Sequence, residues 1–304
     1  MECACGKKAV YKGQGGALCQ THFLDSVEKK VERTIHEYGL IKKGDTVCVA
    51  ASGGKDSLVV LFLVNNYCSS HDIPLFALAV DEGIEGYREH TLTDLKTFCE
   101  KGKIALHVVS FKESYGKTLD EIHEKALKQF NKKPCTVCGV FRRTSLNRKA
   151  KELGATKLIT GHNLDDESQS FLMNVLLGNM SHNASLGPVT GLSDNESFVP
   201  RVKPLYFVTE KETRLYCFLK GFKIDFAECP NVHLSFRSRV RDWLNQMESE
   251  FPGVKNSVVN AFLSILPDLK SKYKGKKEFK TCERCGDPCS GDVCNACKLE
   301  EQLS

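Results

Sequence analysis

A glycine-centred turn between two apolar runs, Ser52-Gly53-Gly54-Lys55-Asp56-Ser57, constrains this chain more than any other feature. It follows Thr46-Val47-Cys48-Val49-Ala50-Ala51 and leads into Leu58-Val59-Val60-Leu61-Phe62-Leu63-Val64. That order reads as strand, turn and helix. Paired glycines bring the backbone close to a phosphate with no Cβ in the way. A helix start aims free N–H groups and a positive dipole end at the same point. Lys55 adds charge and the serine hydroxyls add donors. The spacing is not that of the GxxxxGK[ST] loop, which grips β- and γ-phosphates.

Further strands are expected over Leu75–Val80, ending in Asp81-Glu82-Gly83, over Ala105–Val109, and over Lys157–Thr160, ending in Gly161-His162-Asn163. Helices are expected around Val27, Val31, Ile35 and Tyr38, over 57–67, around Leu92, Leu95, Phe98 and Cys99, after Cys138, and around Phe171 and Val175. Thr209 with Glu212 forms a capping-box pattern that opens a helix ending near Gly221. A last helix carries Val240, Trp243, Leu244 and Met247. Alternating strands and helices imply an α/β fold, a doubly wound parallel sheet covered on both faces. Ligands bind outside the carboxyl ends of such strands. Three motifs, Ser52–Ser57, Asp81–Gly83 and Gly161–Asp166, therefore converge on one site.

The chain divides into a cysteine- and glycine-rich module over 1–26, a catalytic domain over 27–269, and a basic linker with a terminal cysteine module over 270–304. With 304 residues and 41% hydrophobic content it can bury a core. No apolar run reaches the roughly 18 residues that span a bilayer, and Met1-Glu2-Cys3 does not begin a signal peptide. A soluble cytoplasmic protein without membrane contact is expected. The net charge of +5 permits a nucleic-acid partner without requiring one.

Fifteen cysteines in a cytosolic chain point to ligands or catalysts rather than disulfides. Cys282-x2-Cys285 and Cys294-x2-Cys297 are two knuckles that suit tetrahedral zinc, leaving Cys289 aside. Cys3, Cys5, Cys19 and His22 offer a second zinc set, although Cys-x-Cys is an unusual first half. Cys48, Cys68, Cys99 and Cys217 lie in apolar or helical stretches and read as packing residues. The pair Cys135-Thr136-Val137-Cys138, placed just before a helix, suits a redox pair, half of a zinc site or iron–sulfur ligands. Cys229 offers a third thiolate. Three cysteines cannot close a zinc site. They can hold a [4Fe-4S] cluster with one iron open, or share a persulfide and its resolution.

Asp165 suits a helix cap, which leaves Asp166, with Asp56, for magnesium beside phosphates. His162 reads as a wall residue. Arg142 and Arg143 follow the cysteine pair and suit a transferring phosphoryl group or RNA phosphate. Lys132, Lys133, Arg148, Lys149, Phe236–Arg241 and the six lysines of 270–280 add basic surface.

Taken in order, Ser52–Ser57, Val80-Asp81-Glu82-Gly83, Pro134-Cys135-x-x-Cys138-Gly139, Gly161–Glu167, Glu228-Cys229-Pro230 and the two terminal modules resemble the tRNA 2-thiouridine synthetases of the cytosolic thiouridylase subunit 1 type, which belong to the PP-loop ATP pyrophosphatases. The resemblance spans essentially the whole chain. It implies that ATP binds Ser52, Gly53, Gly54, Lys55, Asp56, Ser57, the Val80 backbone, Gly161 and Asp166. The uridine C2 oxygen is adenylated, pyrophosphate leaves, and sulfur displaces AMP. Magnesium and Lys55 neutralise the developing charge. Cys135, Cys138 and Cys229 hold a [4Fe-4S] cluster or, alternatively, carry a persulfide. Two Zn2+ sit in the end modules, which help to hold tRNA. A ubiquitin-like sulfur carrier or sulfide is the donor, and a homodimer is implied. Rival readings are cytidine 2-thiolation and a non-catalytic zinc-ribbon RNA-binding protein with a regulatory nucleotide site.

Overall fold

The computed structural model describes residues 1–13, 15–130, 134–192, 198–223, 229–231, 235–275 and 280–303, apart from the side chains of 124, 125 and 128–130. Lys132, Lys133, Glu228, Lys276 and Lys277, named above, lie outside the described residues. A hairpin, β1 (Tyr11–Gly13) and β2 (Gly16–Leu18), precedes helix α1 (Gln20–Glu37). The central unit then runs β3 (Val47–Ala50), α2 (Lys55–Ser70), β4 (Leu75–Asp81), α3 (Arg88–Gly102), β5 (Ala105–Ser110), α4 (Phe111–Tyr115), α5 (Leu119–Phe130), α6 (Pro134–Glu152), β6 (Lys157–Thr160) and α7 (Leu164–Leu176). It continues with α8 (Met180–Asn183), β7 (Val189–Thr190), β8 (Arg201–Val202), α9 (Glu210–Lys220), α10 (Phe236–Glu250) and α11 (Val254–Tyr273). A second hairpin, β9 (Lys280–Thr281) and β10 (Pro288–Cys289), and helix α12 (Asn295–Leu303) complete it.

The sheet order is β5-β4-β3-β6-β8-β7, parallel except for antiparallel β7 at one edge. Side chains alternate across each strand. Val47, Val49, Ala77, Ala79 and Ile159 face a core built with α1, α2, α3 and α9. Cys48, Leu78 and Leu158 face the other way, onto Ala150 of α6 and Val199. Helix α2 is buried from Ser57 through Leu61, on every side, as expected of a central helix that is apolar all round. Both faces are thus covered.

Three expectations change. Helix α1 begins at Gln20, inside the N-terminal module, and runs unbroken past residue 26. Cys135 and Cys138 do not precede a helix but lie in the first turns of α6, because Pro134 takes the opening helical position, where its missing N–H costs nothing. The start of the 270–280 segment is helical, as α11 extends to Tyr273. The Thr209–Glu212 capping box and the left-handed Gly221 stop of α9 stand as read.

The C-terminal module is not a free appendage. Its Cys282, Cys294, Ala296, Leu299 and Leu303 share one apolar core with Phe111, Ile122, Val137 and Phe141 of α4, α5 and α6. Arg148 of α6 pairs with Asp287 at 2.5 Å, so this basic residue ties the module down rather than forming open surface.

Candidate functional site

The carboxyl ends of β3, β4 and β6 border a cavity of about 400 Å3, lined by Ser52, Asp56, Ser57, Val80, Gly161 and Asp166 together with Arg142. Lys55 and Glu210 line an adjoining hollow that shares Asp56 and Asp166. The expected nucleotide residues therefore come together. Gly53 holds φ +84°, and a Cβ there would stand 2.2 Å from the Thr91 carbonyl oxygen of α3. Only glycine lets the turn seat on α3. Gly161 also passes close to the start of α2, where a Cβ would stand 3.0 Å from Ser57 N. The first turn of α2 has no side-chain cap, which leaves its N–H groups to face an anion. The serines brace the turn: Ser57 Oγ donates to the Gly54 carbonyl at 2.8 Å, and Ser52 N donates to Ser57 Oγ at 3.2 Å.

The two carboxylates are held differently. Asp56 accepts from Thr213 Oγ1 at 2.5 Å and from Asn163 Nδ2 at 3.1 Å, and pairs with Lys55 at 3.0 Å. Lys55 also reaches Glu210 at 2.8 Å. Burial opposes its charge, but Asp56 and Glu210 outweigh that and hold the ammonium above its ordinary range. The cap of α7 is Asn163, not Asp165. Asn163 Oδ1 accepts from Asp166 N at 3.1 Å, and Asp166 Oδ2 accepts from Asn163 N at 3.2 Å, a reciprocal box. Asp165 points inward instead, bound to Lys255 of α11 and accepting from Glu210 N at 2.8 Å. Asp166 Oδ1 faces Arg237 Nη1 at 3.3 Å. Burial pushes Asp166 up to about 6, with Arg237 opposing. Desolvation, followed by nearby Lys203 and Arg237, lowers the proton affinity of His162, and it bonds Thr160 Oγ1 at 2.8 Å. It is a wall residue.

Sequence reasoning missed Arg88. It is 3% exposed and ties the phosphate-facing turn to the next strand. Its Nη1 donates to the Ser52 carbonyl at 2.5 Å, its Nη2 donates to the Val80 carbonyl, and its Nε faces Glu82 Oε2 at 3.0 Å. Val80, expected to meet ATP through its backbone, thus has its carbonyl held by Arg88. Glu82 in turn faces Arg142 at 3.7 Å. A run Ser52–Arg88–Glu82–Arg142 thus leads from the turn to the cysteine-bearing helix.

The three central cysteines gather behind Arg142. Cys135 Sγ lies 3.5 Å from the Asn231 carbonyl oxygen, which brings the Cys229 loop onto α6. Burial pushes Cys138 up to about 12 while Arg142 pulls the other way, and burial also raises Cys229. These sulfurs do not share the mutual 4.8 Å spacing that two other groups show, Cys3 with Cys5, Cys19 and His22, and Cys282 with Cys285, Cys294 and Cys297. In those groups Cys5–Cys19 and Cys285–Cys294 both stand at 3.7 Å and Cys282–Cys297 at 3.9 Å. Four thiolates at about 2.3 Å from one tetrahedral ion stand about 3.8 Å apart, so both groups fit a metal ion. Cys289 is outside its group, with Sγ donating to the Gly291 carbonyl at 2.8 Å. Cys48, Cys68, Cys99 and Cys217 are buried packing residues.

A nucleotide-sized cavity at the strand ends, floored by a glycine turn and an uncapped helix start, defines a PP-loop protein, and residues 24–248 match the PP-loop domain family. Within that class the chain belongs to the tRNA 2-thiolation proteins, a sulfurtransferase family. It is 37% identical to the tRNA 2-thiolation protein NcsA of Haloferax volcanii, covering 100% of this chain and 99% of that one. It is 36% identical to cytoplasmic tRNA 2-thiolation protein 1 of Danio rerio, covering 98% and 86%. The solved structure of the U34-tRNA thiolase NcsA from Methanococcus maripaludis with its [4Fe-4S] cluster superposes with a TM-score of 0.83 at 33% identity, covering 100% of this chain and 97% of that one. Among the described residues, no helix is long and apolar enough to cross a membrane.

Proposed function

We propose that the protein is an ATP-dependent tRNA 2-thiouridine synthetase of the cytoplasm, which adenylates the C2 oxygen of a tRNA uridine and replaces that oxygen with sulfur. The observation that carries this reading is the run from the phosphate-facing turn through Arg88, Glu82 and Arg142 to three cysteines. It links the cavity, through Arg142 on its wall, to cysteines suited to carry sulfur, which supports an adenylation site beside a sulfur site.

ATP phosphates lie on Ser52-Gly53-Gly54-Lys55-Asp56-Ser57, with the nucleoside toward Val80 and Gly161. The uridine oxygen attacks the α-phosphorus, and the bond to the pyrophosphate oxygen breaks. Lys55 and the start of α2 neutralise the charge on the departing pyrophosphate. Asp56 and Asp166 are the carboxylates that would hold Mg2+. At neutral pH Asp166, at about 6, is ionised and available. Arg142 faces the phosphoryl group from the cysteine side.

Cys135, Cys138 and Cys229 would hold a [4Fe-4S] cluster, which supplies an iron without a protein thiolate as a seat for sulfur. The sulfurs stand further apart than around a single ion, which argues against a zinc site; a second feature supports a cluster over a persulfide. The raised proton affinity of Cys138 and Cys229 disfavours a free nucleophilic thiolate at either, whereas binding to a metal deprotonates a thiol outright. Cys3, Cys5, Cys19 and His22, and Cys282, Cys285, Cys294 and Cys297, fit structural Zn2+.

Anaerobic purification tests the assignment. A brown protein with iron and acid-labile sulfide in equal amounts is expected, and Cys229→Ala should be colourless while still binding ATP. A colourless, iron-free wild type with full thiolation activity would overturn it.

A further inference from the structure

Five arginines line the cavity, Arg88, Arg142, Arg143, Arg201 and Arg237, against three carboxylates, Asp56, Glu82 and Asp166. Each carboxylate already has a cation: Lys55 on Asp56, Arg88 on Glu82 and Arg237 on Asp166. Arg143 and Arg201 have no carboxylate partner among the described residues. They lie against each other instead, with Arg201 Nη2 donating to the Arg143 carbonyl at 3.4 Å. Gly139, one turn back on α6, makes room for the arrangement: a Cβ there would stand 3.1 Å from Arg143 Nη1. Burial lowers the proton affinity of both, and like charge lowers it further, from Arg142 onto Arg143 and from Arg143 onto Arg201, which falls to about 10. Two guanidinium groups gathered on one cavity wall with no carboxylate partner among the described residues leave positive charge unbalanced there, which suits a ligand that supplies the missing negative charge.

We infer that Arg143 and Arg201 form a second phosphate subsite, which holds the backbone phosphate flanking the reacting nucleotide of an RNA substrate. The inference rests on the thiolation reading above. A base in RNA is tied to its own phosphates, so a base that reaches the ATP phosphate brings a backbone phosphate into the same cavity. The turn after β3, with Lys55 and the start of α2, serves the nucleoside triphosphate. Arg201 springs from β8, two strands away with β6 between, which sets the second subsite roughly 10 Å to the side at ordinary strand spacing. Two forked guanidinium groups match a phosphate through paired hydrogen bonds.

The test uses a stem-loop RNA carrying the target uridine, the same RNA with one methylphosphonate beside that uridine, and ATP, against the full-length wild type, Arg143→Ala, Arg201→Ala and Arg143→Lys. Each alanine variant should bind the RNA about tenfold more weakly, with the log affinity against log salt slope smaller by about 1. ATP affinity should be unchanged. Arg143→Lys should keep the slope. The methylphosphonate should weaken binding to the wild type and cost the alanine variants nothing more. Weakened ATP binding with an unchanged RNA slope would overturn the inference, as would losses from the variant and the methylphosphonate that simply add. A wild type that binds no RNA would overturn the thiolation reading itself.

Discussion

Replacing Arg88 with methionine removes a side chain that joins the phosphate-facing turn to β4. The guanidinium is 3% exposed and Glu82 is 6% exposed. Taking away one member of a buried ion pair costs about 3–5 kcal/mol, because the other is left uncompensated. Arg142, at 3.7 Å and half exposed, recovers little of that. The carbonyls of Ser52 and Val80 lose a donor as well, and Ser52 begins the turn. Arg88→Met should therefore lower the urea-unfolding free energy by about 3–5 kcal/mol, a fifth or more of a typical 5–15 kcal/mol total. ATP affinity, read by calorimetry, should fall at least about tenfold, equivalent to 1.4 kcal/mol. The paired variant Arg88→Met with Glu82→Gln should recover most of the stability, since no buried charge is orphaned. It should not recover ATP affinity, since the turn still lacks its anchor. An Arg88→Met protein with wild-type stability and wild-type ATP affinity would refute the reasoning.

Gly53→Ala should abolish measurable ATP binding while the chain still folds, because φ +84° and a Cβ 2.2 Å from the Thr91 carbonyl force the turn out of place; a titration with ATP reads this. Asp166 is raised to about 6 by burial, so its stabilising contribution is fully present below its unfolded value near 4 and is lost as pH rises through 6. Asp166→Asn, permanently neutral, should melt higher than the wild type at pH 8, and the gap should close as pH falls to 4. Cys294→Ser with Cys297→Ser should loosen the core shared with α6, read as faster hydrogen exchange over 134–152 with α2 unchanged.

What the sequence revealed and what it concealed divide along a physical line. The strand–turn–helix at Ser52–Ser57, the Thr209–Glu212 box and each half of the two terminal metal groups are local signals, carried by residues a few positions apart. Their spacing alone implies the hydrogen bonds or ligand distances found. Arg88, Glu210 and Arg237 gave no such signal. Their partners, Ser52, Lys55 and Asp166, lie 36, 155 and 71 positions away, and only the assembled sheet brings them together. Asp165 was misread for the same reason: a lone acid before a helix looks like a cap until Lys255 arrives from α11. Strands β7 and β8, two residues each, are too short to show a period. The Cys135 pair, expected just before a helix, lies in the first turns of α6, which opens at Pro134.

The central claim is that adenylation and sulfur insertion are separate steps on one cavity, the second requiring the three central cysteines. Measuring pyrophosphate and 2-thiouridine together, anaerobically, with tRNA, ATP, Mg2+ and sulfide, tests it most directly. The wild type should release pyrophosphate as 2-thiouridine appears, and Cys135→Ala should release pyrophosphate without forming any 2-thiouridine. A wild type that thiolates without releasing pyrophosphate, or a Cys135→Ala protein that still makes 2-thiouridine, would contradict the account.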